Sequence, residues 1–541
     1  MGIDHFFLAP GSRCTPLTLA VAHSDNAKVI RHFDERGLAF AALGYARATG
    51  KPAVFICTSG TAVANAFPAV VEASMEHIPM LLFTADRPPE LRGTGANQTI
   101  DQQQIFGDYV RWFFDMPCPF ESESANAPGQ RASVGENLCR SQVEFAIEQA
   151  ETEPVQLNWM FREPFTIEDG PRTAYRHVND LSAPPPPVSK PAILSESPEL
   201  RIDGDTLVIA GGKQQSSDVA ATQLASKLNA PLLTDITSGL RRIIPDIVKR
   251  PLARPGTIVH VGGRIVSKAW LQFTAEMPNV RHIHLTRGDL RINPNHLALE
   301  RYVGPLEGIV DQIEVGQTCA PDFRASWEAA NESHWKVVDS VLGNLSSARI
   351  SEPEVAYGMG SHLQSGDGLF IGNSSPIRDF DRYARWPNDL RVNVGANRGA
   401  SGIDGLIATG VGFANGLQRR TTIVVGDLSA LHDMNSLALV AGSEFPITLV
   451  IINNEGGGIF DMLPVSQSQY FEDFFATPHT FQFESAAKMF GIDYVAAHSA
   501  REFTEAMQTA RTKERHLLVE VYTNRKHNSD VRRNIAAGIA T

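Results

Sequence analysis

The chain has 541 residues, 43% hydrophobic and 20% charged, the composition of an ordinary globular protein, which excludes disorder, collagen-like repeats and coiled coils for most of its length. At roughly 100–200 residues per domain this length predicts about three domains. Lys and Arg total 48 against 60 Asp and Glu, a formal charge of −12, so there is no global basic footprint for nucleic acid, and an anionic substrate would need a local cluster of Arg or Lys.

The N-terminus, MGIDHFFLAPGSR, has neither a basic n-region nor a full apolar h-region, so no signal peptide is read. Short β-type runs (FFLAP, AVFICTSG, MLLFTAD) then alternate with Ala-rich stretches such as GLAFAALGYARA, the pattern of parallel βαβ units. Pro184 to Pro187 favour extended polyproline II and mark a linker over 177–193. After it, DTLVIAGG, TIVHVGG and RHIHLTR repeat the strand-then-glycine pattern. The pairs Gly211–Gly212 and Gly262–Gly263 lack a full GxGxxG and a following acidic ribose partner, so they read as ordinary strand-to-helix turns. A polar helical region at Pro321–Gly343 leads into a third alternating block: GLFIGNSS, TTIVVGD, ITLVIINN, HLLVEVY. The expectation is an α/β protein of three doubly wound domains with mainly parallel sheets, at 1–176, 194–343 and 344–541.

Five cysteines (Cys14, Cys57, Cys118, Cys139, Cys319) with no CxxC spacing argue against a disulfide framework and a structural zinc site. No apolar run reaches the ~18–20 residues of a transmembrane helix. A cytoplasmic protein without membrane insertion is expected.

The segment Thr421–Phe460 carries the clearest chemistry. It reads as strand Thr422–Val425, helix His432–Ala441 and strand Ile447–Ile452, which places Asp427 and Asn454 just beyond two parallel strand ends on one side of the sheet. A carboxylate and an amide oxygen are hard donors suited to Mg²⁺, with phosphate oxygens completing an octahedron. Gly426, Ser429 and the following helix start can offer N–H groups to phosphate. Gly456–Gly458 allow close approach of the backbone and could supply a carbonyl ligand. Singly, GD after a strand and an NN turn are common features. Together they resemble the GD…NN diphosphate motif of thiamine-diphosphate enzymes. Glu35, in HFDERGLAFAALGYARATGKPAVFICTSGTAVAN, could simply favour its helix N-terminus. Its surroundings, however, resemble the pyrimidine-binding domain of the same superfamily, where a glutamate holds a proton against the aminopyrimidine ring.

Further segments narrow the match: Ala9–Ala20 (APGSRCTPLTLA), Thr58–Asn65 (TSGTAVAN), Thr84–Leu91 (TADRPPEL), Gly95–Gln102 (GANQTIDQ), Gly372–Asp379 (GNSSPIRD), Asn397–Gly405 (NRGASGIDG) and Val424–Asn435 (VVGDLSALHDMN). The set resembles the 2-succinyl-5-enolpyruvyl-6-hydroxy-3-cyclohexene-1-carboxylate synthase (MenD) family from about Gly2 to the last strand, most weakly in the middle. The resemblance implies decarboxylation of 2-oxoglutarate and 1,4-addition of the succinyl-semialdehyde carbanion to isochorismate, in menaquinone or phylloquinone biosynthesis. It implies thiamine diphosphate with Mg²⁺ (or Mn²⁺) as cofactors. It also implies a homodimer or dimer of dimers whose sites lie at the subunit interface.

By motif match, Glu35, Gly402, Ile403, Gly426, Asp427, Leu428, Ser429, Asn454, Gly456 and Ile459 would line the cofactor, with Asp427, Asn454 and Gly456 on the metal. Arg13 and Gln98 would contact isochorismate. Ser374, Arg378 and Arg398 would hold the carboxylates of 2-oxoglutarate, the arginines sitting in strand-end loops. Asn97, Lys268, Phe460 and Leu463 would complete the pocket, with generic core packing as the competing reading for Ile403, Ile459, Phe460 and Leu463. Three departures stand out. The chain begins almost at the strand before APGSR, where that family carries an amphipathic helix, so this helix is expected to be missing. Cys14 follows Arg13 where serine is usual, a partly exposed thiol or a small packing residue. Ala269 follows Lys268 where some relatives have Arg. Two rivals remain: another thiamine-diphosphate carboligase or decarboxylase acting on pyruvate or a different 2-oxo acid, and a non-catalytic nucleotide-binding regulator.

Overall fold

Apolar runs too short for helices, each followed by a glycine or polar turn, give strands, and the Ala-rich segments between them give the crossover helices. The computed structural model describes residues 3–119, 134–163, 165, 200–250, 252–288, 290–343 and 349–540. The proline-rich linker at 177–193 lies outside the described residues.

β1 (His5–Leu8), β2 (Lys28–Arg31), β3 (Ala53–Cys57), β4 (Met80–Asp86), β5 (Trp112–Met116) and β6 (Pro154–Met160) form a parallel sheet in the order β2-β1-β3-β4-β6-β5. Helices cover both faces of such sheets, so central strands read as continuous apolar runs; AVFIC of β3 is buried at every residue. The helix Glu35–Thr49 starts where the Asp34 side chain accepts from Arg36 N and Gly37 N, and stops at Gly50, whose φ of 66° only glycine adopts freely. Its residues from Gly37 to Ala46 are all buried, which explains their small apolar character.

β8 (Thr206–Ala210), β9 (Leu232–Thr234), β10 (Thr257–Val261), β11 (Arg281–Thr286) and β12 (Leu299–Val303) form a parallel sheet in the order β12-β11-β10-β8-β9, and β7 (Arg201–Ile202) pairs with β13 (Glu314–Val315). The predicted polar helix is present as Pro321–Leu342. The last sheet, also parallel, runs β15 (Asn393–Gly395), β14 (Gly368–Ile371), β16 (Thr421–Gly426), β17 (Ile447–Asn453), β19 (Leu517–Tyr522), β18 (Asp493–Ala497).

One expectation needs correcting. The helix placed at His432–Ala441 starts already at Asp427, stops at His432, passes through a 3₁₀ turn at Met434–Ser436 and resumes at Leu437–Ala441. Asp433 causes the break: its carboxylate accepts from Ala408 N at 3.0 Å and Ser436 Oγ at 2.7 Å, competing with the helical ladder.

The chain divides into two units, residues 1–191 with 411–417, carrying the first sheet, and residues 192–410 with 418–541, carrying the others. Among the described residues no helix is long and apolar enough to cross a membrane, and none of the five cysteines forms a disulfide.

Candidate active site

In the last sheet the strand order reverses between β14 and β16. The crevice outside the C-terminal ends of strands at such a reversal is where open α/β sheets bind ligands. The chain leaves β14 through Gly372, Asn373 and Ser374, and leaves β16 directly into Asp427. The Asp427 carboxylate is buried and ties two loops together: Oδ1 accepts from Leu428 N at 2.7 Å, and Oδ2 accepts from Asn454 N at 3.1 Å and Gly456 N at 3.0 Å. Burial pushes this carboxyl up from the ordinary range, while those N–H groups and His479, whose Nε2 stands 3.3 Å from Oδ2, pull it back. The Leu428 N–H is thus engaged by the Asp427 side chain.

Asn454, the first residue after β17, donates from Nδ2 to Glu352 Oε1 at 2.6 Å. Its Oδ1 is buried and has no hydrogen-bond partner among the described residues. A buried unpaired oxygen costs about 1–3 kcal/mol, a penalty that a hard cation relieves. Gly456 has φ of 145°, and a Cβ there would stand 2.4 Å from the Ala476 carbonyl oxygen. The Gly456 carbonyl accepts from Gly458 N at 3.0 Å, which leaves a second lone pair for a metal. The oxygen donors of Asp427, Asn454 and Gly456 fit Mg²⁺ or Mn²⁺. Among the described residues no three His, Cys, Asp or Glu side chains converge on one point, so such a cation would take its remaining ligands from phosphate and water. A cavity of about 590 Å³ opens beside Asn454, lined by His479, Phe481, Asn524, Arg525 and Lys526 among others.

Asn373 organises the other half of this crevice. Its Nδ2 donates to the Gly402 carbonyl and its Oδ1 accepts from Arg398 Nη1, both at 2.7 Å. Arg398 is thereby held beside the loop bearing Gly402 and Ile403. Arg378 is not in a loop as expected but in the helix Ser375–Tyr383, because the turn that precedes it is made by Ser374 at φ 69°. That conformation is strained for serine and typical of functional turns. It places the Ser374 carbonyl 2.5 Å from Arg378 Nη1. Burial and the charges of Arg398 and Arg382 push the Arg378 guanidinium down, against an upward pull from Asp379. Ile403 is 39% exposed and Leu463 48%, which rules out core packing for both; Ile459 and Phe460 are half-buried. Lys268 is exposed in the first turn of the helix Lys268–Ala275.

In the first sheet the reversal lies between β1 and β3. The loops that leave them touch: a Cβ on Gly11 would stand 2.3 Å from that of Thr58. Arg13 is buried here, its Nη1 donating to the Phe161 carbonyl at 2.8 Å and its Nη2 to Glu163 Oε1 at 2.7 Å, with the Phe165 ring 5.0 Å away. Gln98, at φ 54°, donates from Nε2 to the Ser59 carbonyl at 2.9 Å, while Asn97 beside it is exposed. Glu35 is half-buried at the start of its helix, and its charge adds to burial in pushing up the thiols of Cys14 and Cys57. Cys14 itself is fully buried, donating to the Gly11 carbonyl at 3.2 Å, which favours the small packing residue over the partly exposed thiol.

Between β8 and β10 the third reversal is closed. Gly263 N donates to the Gly212 carbonyl at 2.7 Å, and a Cβ on Gly211 would stand 2.1 Å from the Gly263 carbonyl oxygen. Backbone fills this crevice, which agrees with the reading of both glycine pairs as turns.

Four residues at these sites escape the sequence reading. Arg87 is buried, donates to the Gln98 carbonyl at 2.7 Å and to Ser59 Oγ, and is pushed down by burial and Arg13. Its signal was its place inside TADRPPEL. Glu352, Arg532 and His479 belong to no motif considered.

Two family descriptions match this chain: thiamine pyrophosphate enzyme, N-terminal TPP binding domain, over residues 1–105, and thiamine pyrophosphate enzyme, C-terminal TPP binding domain, over residues 382–521. The chain is 39% identical to a protein of Rubrobacter xylanophilus named 2-succinyl-5-enolpyruvyl-6-hydroxy-3-cyclohexene-1-carboxylate synthase, covering 100% of this chain and 96% of the relative. Proteins of the same name from Salinibacter ruber and Chlorobaculum tepidum are 36% and 37% identical, covering 99% and 98% of this chain and 94% of each relative.

Proposed function

Since the chain belongs to the 2-succinyl-5-enolpyruvyl-6-hydroxy-3-cyclohexene-1-carboxylate synthase family of thiamine pyrophosphate enzymes, we propose that it decarboxylates 2-oxoglutarate and joins the remaining four-carbon unit to isochorismate by 1,4-addition. The products would be 2-succinyl-5-enolpyruvyl-6-hydroxy-3-cyclohexene-1-carboxylate and CO₂. The chain is an enzyme, a thiamine-diphosphate-dependent synthase of menaquinone biosynthesis. The single observation that carries the site assignment is the buried, unpartnered Oδ1 of Asn454 beside the Asp427 carboxylate.

Bound thiamine diphosphate supplies the electron sink that lets a 2-oxo acid lose CO₂ and become a nucleophile. Asp427, Asn454 and the Gly456 carbonyl would hold Mg²⁺ or Mn²⁺, which anchors the diphosphate. Gly426 at the end of β16, Ser429 in the helix that follows and Gly402 would line the diphosphate, and Ile403 and Ile459 would give the cofactor an apolar support. Glu35 would hold a proton on its carboxyl oxygen against the aminopyrimidine ring. Arg378 and Arg398, with Ser374, would receive the two carboxylates of 2-oxoglutarate, since paired guanidiniums are efficient donors to carboxylates. Arg13, Gln98 and Asn97 would orient isochorismate, and Lys268, Phe460 and Leu463 would border the pocket.

We read the three large sheets as three domains at 1–176, 194–343 and 344–541. We further read the working form as a cytoplasmic homodimer or dimer of dimers, each site taking Glu35 from one subunit and Asp427 from another. Sedimentation of the holoenzyme checks the assembly. The reaction is checked by mass spectrometry of the product from isochorismate, 2-oxoglutarate, Mg²⁺ and thiamine diphosphate, with each omitted in turn. Product that requires all four supports the assignment. Free turnover of pyruvate without an acceptor would replace it with a simple decarboxylase.

A further inference from the structure

An asparagine amide can be seated two ways, and only one of them turns the oxygen of Asn454 away from Glu352. Glu352 decides which. Its Oε1 lies 2.6 Å from Asn454 Nδ2 and 2.9 Å from Asn528 Nδ2, and its Oε2 is paired with Nη2 of Arg532. Glu352, Asn528 and Arg532 are all buried. A carboxylate paired with a guanidinium only accepts hydrogen bonds. The Asn454 group facing it must therefore be the NH₂, and the atom turned outward is the buried Oδ1 that lacks a partner among the described residues. Arg532 is also held by Asp379, with Nε donating to Oδ1 at 2.9 Å and the Nη2 that meets Glu352 donating to Oδ2 as well.

This arrangement is costly for a fold to keep. Two carboxylates and one guanidinium are removed from water, and apolar side chains of similar volume would often be as stable or more so. The group draws on the first turn of the helix Glu352–Met359, on Asp379 in the helix Ser375–Tyr383 and on the C-terminal helix Arg525–Ala540, and it meets the first residue after β17 through Glu352. Stability alone does not account for an ion cluster at this place, whereas the orientation of one amide does.

We propose that Glu352, held by Arg532, is a positioning residue that fixes the Asn454 amide so that Oδ1 serves as a cation ligand beside Asp427. The inference rests on the reading of Asp427 and Asn454 as the metal site. Partners that orient a metal ligand from behind typically contribute 10–100-fold in metal affinity.

The test is titration of Mn²⁺ into the full-length protein with saturating thiamine diphosphate, followed by electron paramagnetic resonance. Glu352→Gln should weaken Mn²⁺ binding by about 10–100-fold. Glu352→Asp, which keeps the charge for Arg532 but withdraws the carboxylate from Asn454, should weaken it in the same direction and decides the matter should Glu352→Gln not fold. Asp379→Asn disturbs the same ion cluster without touching Asn454 and should leave the affinity unchanged. The double variant E352Q/N454D exchanges donor and acceptor across the contact and should gain more affinity over Glu352→Gln than Asn454→Asp gains over the wild type, a non-additive rescue that a merely structural role does not give. Wild-type affinity in both Glu352 variants overturns the proposal. So does a loss in Asp379→Asn as large as that in Glu352→Gln. Unchanged Mn²⁺ binding in Asp427→Ala would instead show that the metal site itself is misplaced, and the inference falls with it.

Discussion

Arg13 is tied to Glu163 at 2.7 Å, a buried guanidinium held by a carboxylate whose side chain is 64% exposed. If Arg13 contacts isochorismate as proposed, Glu163 competes with the substrate carboxylate for this guanidinium. A half-exposed pair of this kind contributes about 0.2–1 kcal/mol. Glu163→Gln should therefore lower KM for isochorismate by no more than about fivefold, with kcat unchanged. Arg13→Met should raise that KM while leaving the KM for 2-oxoglutarate in place. Steady-state kinetics with each substrate varied separates the two, and a rise in KM on Glu163→Gln would show that Glu163 orients Arg13 and does not compete for it.

In the proposed site Arg378, whose guanidinium is disfavoured by the charge of Arg398, receives a carboxylate of 2-oxoglutarate. A hydrogen bond to a charged group contributes about 1.5–3 kcal/mol, so Arg378→Met should raise KM for 2-oxoglutarate by roughly tenfold to a hundredfold. Because the substitution also removes one of two like charges, the melting temperature of the free protein should stay level or rise. Kinetics and thermal melts of the same preparation test both halves, and an unchanged KM would remove Arg378 from the substrate site.

Glu35 and Asp427 should fail in different ways. A positioned acid–base group contributes about 10²–10⁴-fold to a rate, so Glu35→Gln should lose at least a hundredfold in kcat while calorimetry still records Mg²⁺-dependent cofactor binding. Asp427→Ala should lose the Mg²⁺ dependence of binding itself. Identical calorimetric profiles for the two variants would contradict the separation of roles.

Much of this site is legible in the sequence because its groups sit at the first position after a strand or in the first turn of a helix. Asp427, Asn454 and Glu35 are of this kind, and a strand-then-GD or strand-then-NN pattern fixes their place by local geometry alone. Arg378 is expected in a loop but lies in a helix, since the unusual φ of Ser374 that starts this helix one residue later has no signature in GNSSPIRD. Glu352 and Arg532 are not legible at all, and Arg87 is legible only through its place inside TADRPPEL. Their partners stand far away in the chain, 180 positions from Arg532 to Glu352 and 28 from Arg87 to Ser59, and only tertiary folding brings them together. The same holds for the helix broken at Asp433, whose carboxylate is claimed by Ala408 N, 25 positions earlier.

His334 gives a prediction about pH. It is buried in the helix Pro321–Leu342, and neither ring nitrogen has a partner among the described residues. Burial pushes its pKa down to about 4, against a weaker upward pull from Asp246. Unfolded, the same ring titrates near 6.5. The unfolded chain therefore binds the extra proton first, and the stability that depends on a neutral His334 is complete above about pH 6.5 and is lost as pH falls from there towards 4. At pH 5.0 the loss approaches about 2 kcal/mol. His334→Leu removes this dependence without sacrificing a hydrogen bond. The difference in unfolding free energy between pH 7.5 and 5.0, measured in urea, should shrink by about 1–2 kcal/mol. At pH 7.5 the variant should be no less stable than the wild type, because an apolar side chain replaces an unpartnered polar ring. A residual acid sensitivity is expected from His260, which burial pushes down to about 3. If the variant and the wild type lost stability equally between the two pH values, His334 would have to take up its proton in the folded state as readily as in the unfolded one.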